Sequence, residues 1–413
     1  MTKKTNVKTK NAARKRTKGS VAIALVAVVA LISAAGFLYG RLPPRPREDM
    51  LSRQPPIYEG VMEIWLSETF QPGKGSYLRW LLNSAAIYER QNPGSFIDVK
   101  VVAPQVAKEL IARGEELPDA ILCSGGVISG TEISVAKLLL AQEDDWGVLP
   151  VLESAVSQGG KLYGIPISAG AYTILYNKDR LAQAGINDRI TAENIGELHQ
   201  GATSRPRRSA SYAISCPRTE YISYSSALLY MIDLSTVDMG ILPPNIFTVE
   251  AKFAWADFVL EKRSAAYVAT QKEVFRIREL EAGNNAFAWQ VHQEPCLYTD
   301  QLLSLHMFKT AESDEKQSAL NLFAEILLSE QRQKALADIG AFSVLDEFEY
   351  IYPAGSSMHT MEAGIKSADI IVPNMFLWDE SVQRLIRAEE GGGDASGRLE
   401  SIRDLLENIN LLE

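Results

Sequence analysis

Three kinds of hydrophobic spacing succeed one another along this chain of 413 residues. The first is an unbroken run: Ser20 to Tyr39 is twenty residues without a charge, centred on VAIALVAVVALISAAGFLY. At ~1.5 Å rise per residue, a helix of that length matches a hydrocarbon core of ~30 Å. The second kind is the short apolar or alternating segment. Val61–Leu66, Phe96–Val102 and Pro118–Cys123 are of this type and predict strands. The third has helical period. Tyr77–Gln91 places Leu78, Leu81, Leu82, Ala85, Ala86 and Tyr88 on one face and stops at Asn92-Pro93-Gly94. Val106–Arg113 predicts a shorter helix ended by Gly114. Strand, helix, strand, helix, strand predicts a parallel sheet with helices on its faces, an α/β fold.

From Gly159 to Gly185 the chain reads GGKLYGIPISAGAYTILYNKDRLAQAG. Two strands flank the small residues Ser168-Ala169-Gly170-Ala171. Asn177 is placed to cap the following helix and Gly185 to end it. Asn194-Ile195-Gly196-Glu197 has the pattern of a capping box. Gly160–Pro166 followed by Ile174–Asp179 resembles the most recurrent stretch of the extracellular solute-binding proteins of ABC importers, the large sugar-type class that includes maltose-binding protein. Asn194–Leu198 is similar to that family's Thr-Trp-x-Glu-Leu helix start, with Ile195 in place of Trp. Phe258–Thr270 resembles its Phe-x-x-Gly-Lys-Ala-Ala-Met strand, Ala319–Gly340 its late helix pair and Ala395–Glu413 its closing helix.

The resemblance implies two α/β lobes joined by chain crossings, with a ligand held in the cleft between them. Its boundaries are expected at 58–169 with 302–345 for the first lobe, and 170–301 with 346–413 for the second. Crossings are expected near Ser168–Ala171, Leu297–Gln301 and Val344–Glu347, with Ser168 and Gly170 as hinge residues because glycine accepts wide φ/ψ changes. Parallel sheets bind ligands beyond their strand ends. That nominates Ser67 and Glu68 after the first strand, and Ser124, Gly125 and Gly126 after the third. Ser168 joins them from the first crossing, and Thr270 and Gln271 from the second lobe.

Aromatic faces stack on sugar rings while polar groups meet the hydroxyls. Tyr221, Trp255, Tyr267, Trp289 and Trp378 are the aromatic candidates. Tyr221 is preferred for its Tyr/Ser-rich setting, and Trp378 because it follows Pro373-Asn374 in a segment resembling the family's late cleft loop. Many sugar binders of the family carry Trp where Thr270-Gln271-Lys272-Glu273 stands here, which speaks against a maltodextrin-like ligand.

Charge divides the chain further. Residues 1–19 hold eight Lys/Arg and no acid. Removing those eight from the total of 42 leaves 34 basic against 51 acidic residues, a formal −17 on the remainder. An acidic body is a poor nucleic-acid binder. Basic residues on one flank of the apolar run predict a cytoplasmic tail (1–19), a single-pass signal anchor (20–40) and an extracellular body at the cell membrane. A cleaved signal peptide ending near Ser33-Ala34-Ala35 is the alternative. Residues 41–57 hold five prolines and four arginines, the composition of an extended tether.

Four histidines and three dispersed cysteines predict no metal centre, and no cofactor motif occurs. Gly73-Lys74-Gly75-Ser76 lacks the upstream glycine and residue order of a phosphate loop. No nucleophile elbow or zinc-protease motif points to an enzyme. The expectation is a membrane-tethered receptor, not an enzyme, that captures a small solute, carbohydrate by resemblance, and delivers it to an ABC permease. An exported glycan hydrolase or a ligand-sensing subunit is the alternative.

Overall fold

The computed structural model describes residues 57–141, 146–191, 193–195, 197–198, 214–232, 246–282, 287–310, 313–377, 401–402 and 404. The segments expected as basic tail (1–19), anchor (20–40) and tether (up to residue 56), with Trp378 and nearly all of 395–413, lie outside the described residues. No helix among the described residues is long and apolar enough to cross a membrane.

Strand β1 (Gly60–Ser67) leads into helix α1 (Tyr77–Gln91). Ser76 is extended, and its hydroxyl accepts from the Arg79 N–H, so the helix starts where a capping side chain satisfies an orphan donor. Tyr77, Trp80, Leu81, Ala85 and Tyr88 are buried, whereas Leu82 is exposed. The buried stripe is therefore rotated from the predicted one toward the two largest aromatics. Strand β2 (Ser95–Val101), helix α2 (Pro104–Arg113) and strand β3 (Ala120–Ser124) follow. Helix α2 starts earlier than expected because Pro104 occupies its first turn, where a missing N–H is harmless. Gly114 ends it in the left-handed region, φ 72°.

A hairpin of β4 (Ser157–Gln158) and β5 (Lys161–Leu162) precedes β6 (Ile165–Ala169) and β7 (Tyr172–Asn177). Helix α3 (Lys178–Gln183) is capped by Asn177, as the sequence predicts. The next cap differs: Thr191 and Asn194 bond reciprocally, so Asn194 answers a cap three residues earlier rather than being one. Strand β8 (Ile214–Arg218), helix α4 (Tyr224–Met231), β9 (Ile246–Glu250), β10 (Ala266–Thr270), helix α5 (Gln271–Ala282), β11 (Trp289–Val291) and β12 (Leu302–Met307) complete the strands. Helices α6 (Asp314–Leu328), α7 (Glu330–Lys334) and α8 (Ser357–Ile365) follow.

Two five-stranded sheets result, ordered β2-β1-β3-β12-β6 and β11-β7-β10-β8-β9. In the first, β1 is parallel to β2 and β3, but β12 is antiparallel to β3 and β6. The predicted parallel sheet is thus mixed, because β12 enters from the other lobe in the opposite direction. In the second sheet β8 is parallel to β9 and β10, and β7 antiparallel to β10 and β11.

Burial of β12 explains a recurrent glycine. His306 is fully buried between the Ser304 hydroxyl (2.7 Å to Nε2) and the Tyr163 carbonyl (2.9 Å to Nδ1). Burial lowers its pKa to about 4, so the ring is neutral at pH 7. A Cβ on Gly164 would lie 2.4 Å from that ring. Glycine stands in the KLYGIP stretch because the imidazole occupies the space.

After a 3-10 turn at Ala335–Asp338 the chain does not stay with one sheet. Leu345 bridges to Val148, and Phe342 packs on Tyr352. Helix α8 meets α5 through Ser357 and Arg278, and Ile371 pairs with Tyr298. Met375 then donates to the Ala155 carbonyl, and Phe376 joins the Trp65, Ile121 and Cys123 cluster under the first sheet. Within the segment 346–413, expected in the second lobe, the Met375 and Phe376 side chains pack against Ser304 and the Trp65 cluster of the first sheet.

Candidate ligand cleft

The first crossing is Gly170–Ala171, between β6 and β7. The second is the stretch before β12. They touch. Gly170 N–H donates to the Gln301 carbonyl (2.7 Å), and the Thr299 hydroxyl donates to the Gly170 carbonyl (2.8 Å). The Gln271 amide closes the arrangement: its oxygen accepts from Ala171 N–H (3.0 Å), and its nitrogen reaches the Gln71 carbonyl (3.1 Å) and Gln301 Oε1 (3.3 Å). A Cβ on Gly170 would lie 2.5 Å from Gln301 Oε1 and 2.9 Å from Gln271 Nε2. Gly170 is absent from the positive-φ glycines. It is required by this close approach rather than by the conformational freedom that nominated it as a hinge.

On the first-lobe side, Ser67 is fully buried and its hydroxyl has no partner among the described residues. Glu68 beside it is partly buried. Burial lifts its carboxyl to about 7, with no opposing hydrogen bond or charge among the described residues. Ser124 Oγ accepts from the Thr69 N–H (3.3 Å), tying β3 to the segment after β1. Gly125 and Gly126 form the turn after β3, with Gly126 at φ 83°. Ser168 meets the Tyr77 hydroxyl (3.3 Å) and donates to the Phe342 carbonyl (3.2 Å).

On the second-lobe side, Thr270 and Glu273 form a helix cap for α5. The Glu273 carboxylate accepts from Thr270 N–H (2.9 Å) and Oγ1 (2.6 Å), and Thr270 Oγ1 accepts from Lys272 N–H (3.3 Å). Asp300, at the second crossing, accepts from the Tyr172 hydroxyl (2.6 Å) and the Ser223 N–H (2.7 Å). Burial raises its pKa to about 6, with those hydrogen bonds acting in opposition. Tyr172 lies edge-on to Tyr224, and Tyr298 stacks on Tyr230. Ser223 caps α4, so the Tyr/Ser-rich stretch does open a helix beside the crossings.

No family profile matches the sequence, and no curated protein does. Solved structures do. The GacH receptor of Streptomyces glaucescens matches with a TM-score of 0.58 at 13% identity, over 85% of this chain and 99% of that one. The sugar-binding protein MalE of Xanthomonas citri matches with a TM-score of 0.56 at 18% identity, over 86% and 97%. The galacto-N-biose/lacto-N-biose I-binding protein of Bifidobacterium longum matches with a TM-score of 0.58 at 14% identity, over 85% and 98%. The chain has the fold of the two-lobed ABC solute-binding proteins.

Within this solute-binding fold the nominated residues separate by what their polar atoms do. Ser168, Thr270 and Gln271 are buried and engaged with the protein itself. Ser124 is buried and bound to the Thr69 backbone. Glu68 and Ser67 retain uncommitted oxygens, and Tyr221 is partly exposed. Trp255 and Tyr267 pack edge-on in the core. Trp289 instead lines a cavity of about 330 Å³ with Arg278, His292 and Ser357. A second cavity of about 560 Å³ lies between the β4–β5 hairpin and Asn374–Leu377, immediately before Trp378. Asn374 anchors it by donating to the Ser154 and Ser157 carbonyls (3.3 and 2.7 Å).

Sequence reasoning missed Asp300, Gln301, Tyr77 and Tyr172. A signal for two of them existed, since Asp300 and Gln301 are the last polar residues of the expected crossing at 297–301. Tyr77 and Tyr172 read as ordinary apolar positions.

Proposed function

We propose that this protein is a receptor that closes two lobes on a small polar solute of the carbohydrate class and passes it to an ABC-type permease. The observation carrying this reading is the paired architecture: two sheets, joined at Gly170–Ala171 and before β12, with the segments after β1 and β10 meeting across the crossings. The neighbours' solutes point the same way: GacH was solved with acarbose and the Bifidobacterium protein with lacto-N-biose. The apolar run at 20–40 and the proline-rich stretch after it supply a tether. It would hold an extracellular body at the cell membrane and raise its local concentration near the permease.

No covalent step is needed for this work. Backbone amides, hydroxyls and a carboxylate recognise hydroxyl-rich solutes, and closure presents one shape to the partner. Glu68 is the residue on the first-lobe wall best suited to accept from a pair of solute hydroxyls.

A thermal-shift screen of mono- and oligosaccharides tests the proposal. A solute at a hundred times its Kd stabilises the folded state by about 2.7 kcal/mol. Turnover of a bound glycan would replace the reading with a hydrolase, and the absence of any shift across the screen would remove its support. For a solute that does bind, calorimetry between pH 6 and pH 8 is expected to show affinity rising with pH. Glu68 becomes ionised through about 7, and a charged acceptor binds hydroxyls more strongly than a neutral one. Glu68→Gln is expected to weaken binding by about tenfold at pH 8, about 1.4 kcal/mol, and to flatten the profile.

A further inference from the structure

Gly73-Lys74-Gly75-Ser76 looks like a phosphate loop that lacks its parts, and the fold gives this stretch a different use. It leaves the end of β1 and zips onto the turn after α7: Gly73 N–H donates to the Gly340 carbonyl (3.0 Å) and Lys74 N–H to the Ile339 carbonyl (2.8 Å). Two glycines thus lie side by side on the first lobe. A Cβ on Gly73 would stand 2.9 Å or less from no atom of its own lobe, but 2.3 Å from the ring of Phe275. A Cβ on Gly340, itself at φ 73°, would stand 2.6 Å from the same ring and 2.9 Å from Gly73 Cα. Phe275 belongs to the second lobe, one turn into α5. Its ring therefore fills a notch that only paired glycines leave open, with the Lys74 ammonium 5.5 Å from the ring centroid.

The position of this contact gives it a direction. The notch follows the C-terminal end of β1, and α5 follows the C-terminal end of β10. Both are walls of the cleft side, and Gln271, one turn before Phe275, bonds both the Gln71 carbonyl and the first crossing. Because Phe275 and the two glycines lie on different lobes, any rotation that parts the lobes would withdraw the ring from its notch.

We infer that Phe275 and the Gly73–Gly340 notch form an interlobe clasp that holds the closed arrangement and sets solute affinity without touching the solute. The inference rests on the two-lobed receptor reading. Phe275 is a positioning residue: it acts through the angle between lobes. An apolar contact made in the closed state and absent from the open one shifts the balance toward closure, and the solute's apparent affinity follows the closed fraction.

The test uses the full chain without solute. All three cysteines are buried, so cysteines introduced at exposed Gln91 and Ala182, one in each lobe, take spin labels selectively. The wild-type distance distribution is expected to be narrow. Phe275→Ala is expected to lengthen and broaden it. Phe275→Leu, which keeps an apolar body without the ring atoms nearest both glycines, gives an intermediate result and serves if the alanine variant folds poorly. Unchanged distributions in both variants, or a wild-type distribution already as broad as theirs, overturn the clasp. Because no solute enters this measurement, its failure leaves the receptor reading standing, and a failed solute screen leaves the distances interpretable. With a saccharide that shifts melting in the screen, Phe275→Ala is expected to weaken binding about tenfold while the pH profile through Glu68 keeps its shape.

Discussion

Gly170→Ala is expected to destabilise the protein by about 3 kcal/mol. The added carbon would sit 2.5 Å from Gln301 Oε1 and 2.8 Å from Gln301 Cβ. The Gln301 side chain, down to its Cβ, lies on one side and the Gln271 amide on the other, so the crowding cannot be relieved by turning one flexible tip. Moving Gln301 or Gln271 aside breaks the bonds that tie the crossings together. Urea unfolding of the variant against wild type measures the difference. A loss below about 0.5 kcal/mol, the ordinary range of a tolerated surface change, would show that the crossing has room and that the glycine serves motion instead.

The second large effect is a pH dependence centred on Asp300. Its carboxyl lies at about 6 in the folded protein against an ordinary 3.8, because burial disfavours the charge. Between those values the folded state holds a proton that the unfolded state has released, so stability falls as pH rises. The favourable contribution is fully present below the unfolded pKa and is lost as pH passes through about 6. A displacement of this size corresponds to about 3 kcal/mol.

Asp300→Asn keeps the shape and removes the titration. The stability of the variant relative to wild type is therefore expected to improve by roughly 2 kcal/mol between pH 4 and pH 7, read from urea unfolding at each pH. Parallel profiles for the two proteins would mean that Asp300 is hydrated and ordinary. Asp300→Ala behaves differently, because it also strands the Tyr172 hydroxyl and the Ser223 N–H. It should cost stability across the range, by roughly 1–3 kcal/mol for each group left without a partner.

Both effects arise where sequence reasoning was close but incomplete. The crossings were legible: small residues at 168–171 and the break before β12 lie where the chain changes sheets. Their chemistry was not, since Gln271 meets Gln71 from 200 positions away. Thr270 and Gln271 were nominated for a ligand because they follow a strand. The same position after a strand is also the start of a helix, and here Thr270 caps it while Gln271 joins the crossings. Glu68 and Ser67 were nominated by the strand-end rule alone, and their side chains keep oxygens uncommitted among the described residues.

What the amino-acid order determined by itself is local. Ser76 and Asn177 start helices, Gly114 ends one, and the apolar runs at 61–66 and 118–123 become strands. Caps, turns and periodicity act between near neighbours, so they can be read before the chain folds. The tertiary structure alone decided that β12 runs antiparallel between β3 and β6, that His306 excludes a side chain at Gly164, and that Phe275 seats between Gly73 and Gly340. Each of these depends on surfaces that meet only after the chain has crossed between lobes, and no spacing along the sequence encodes the distance across that gap.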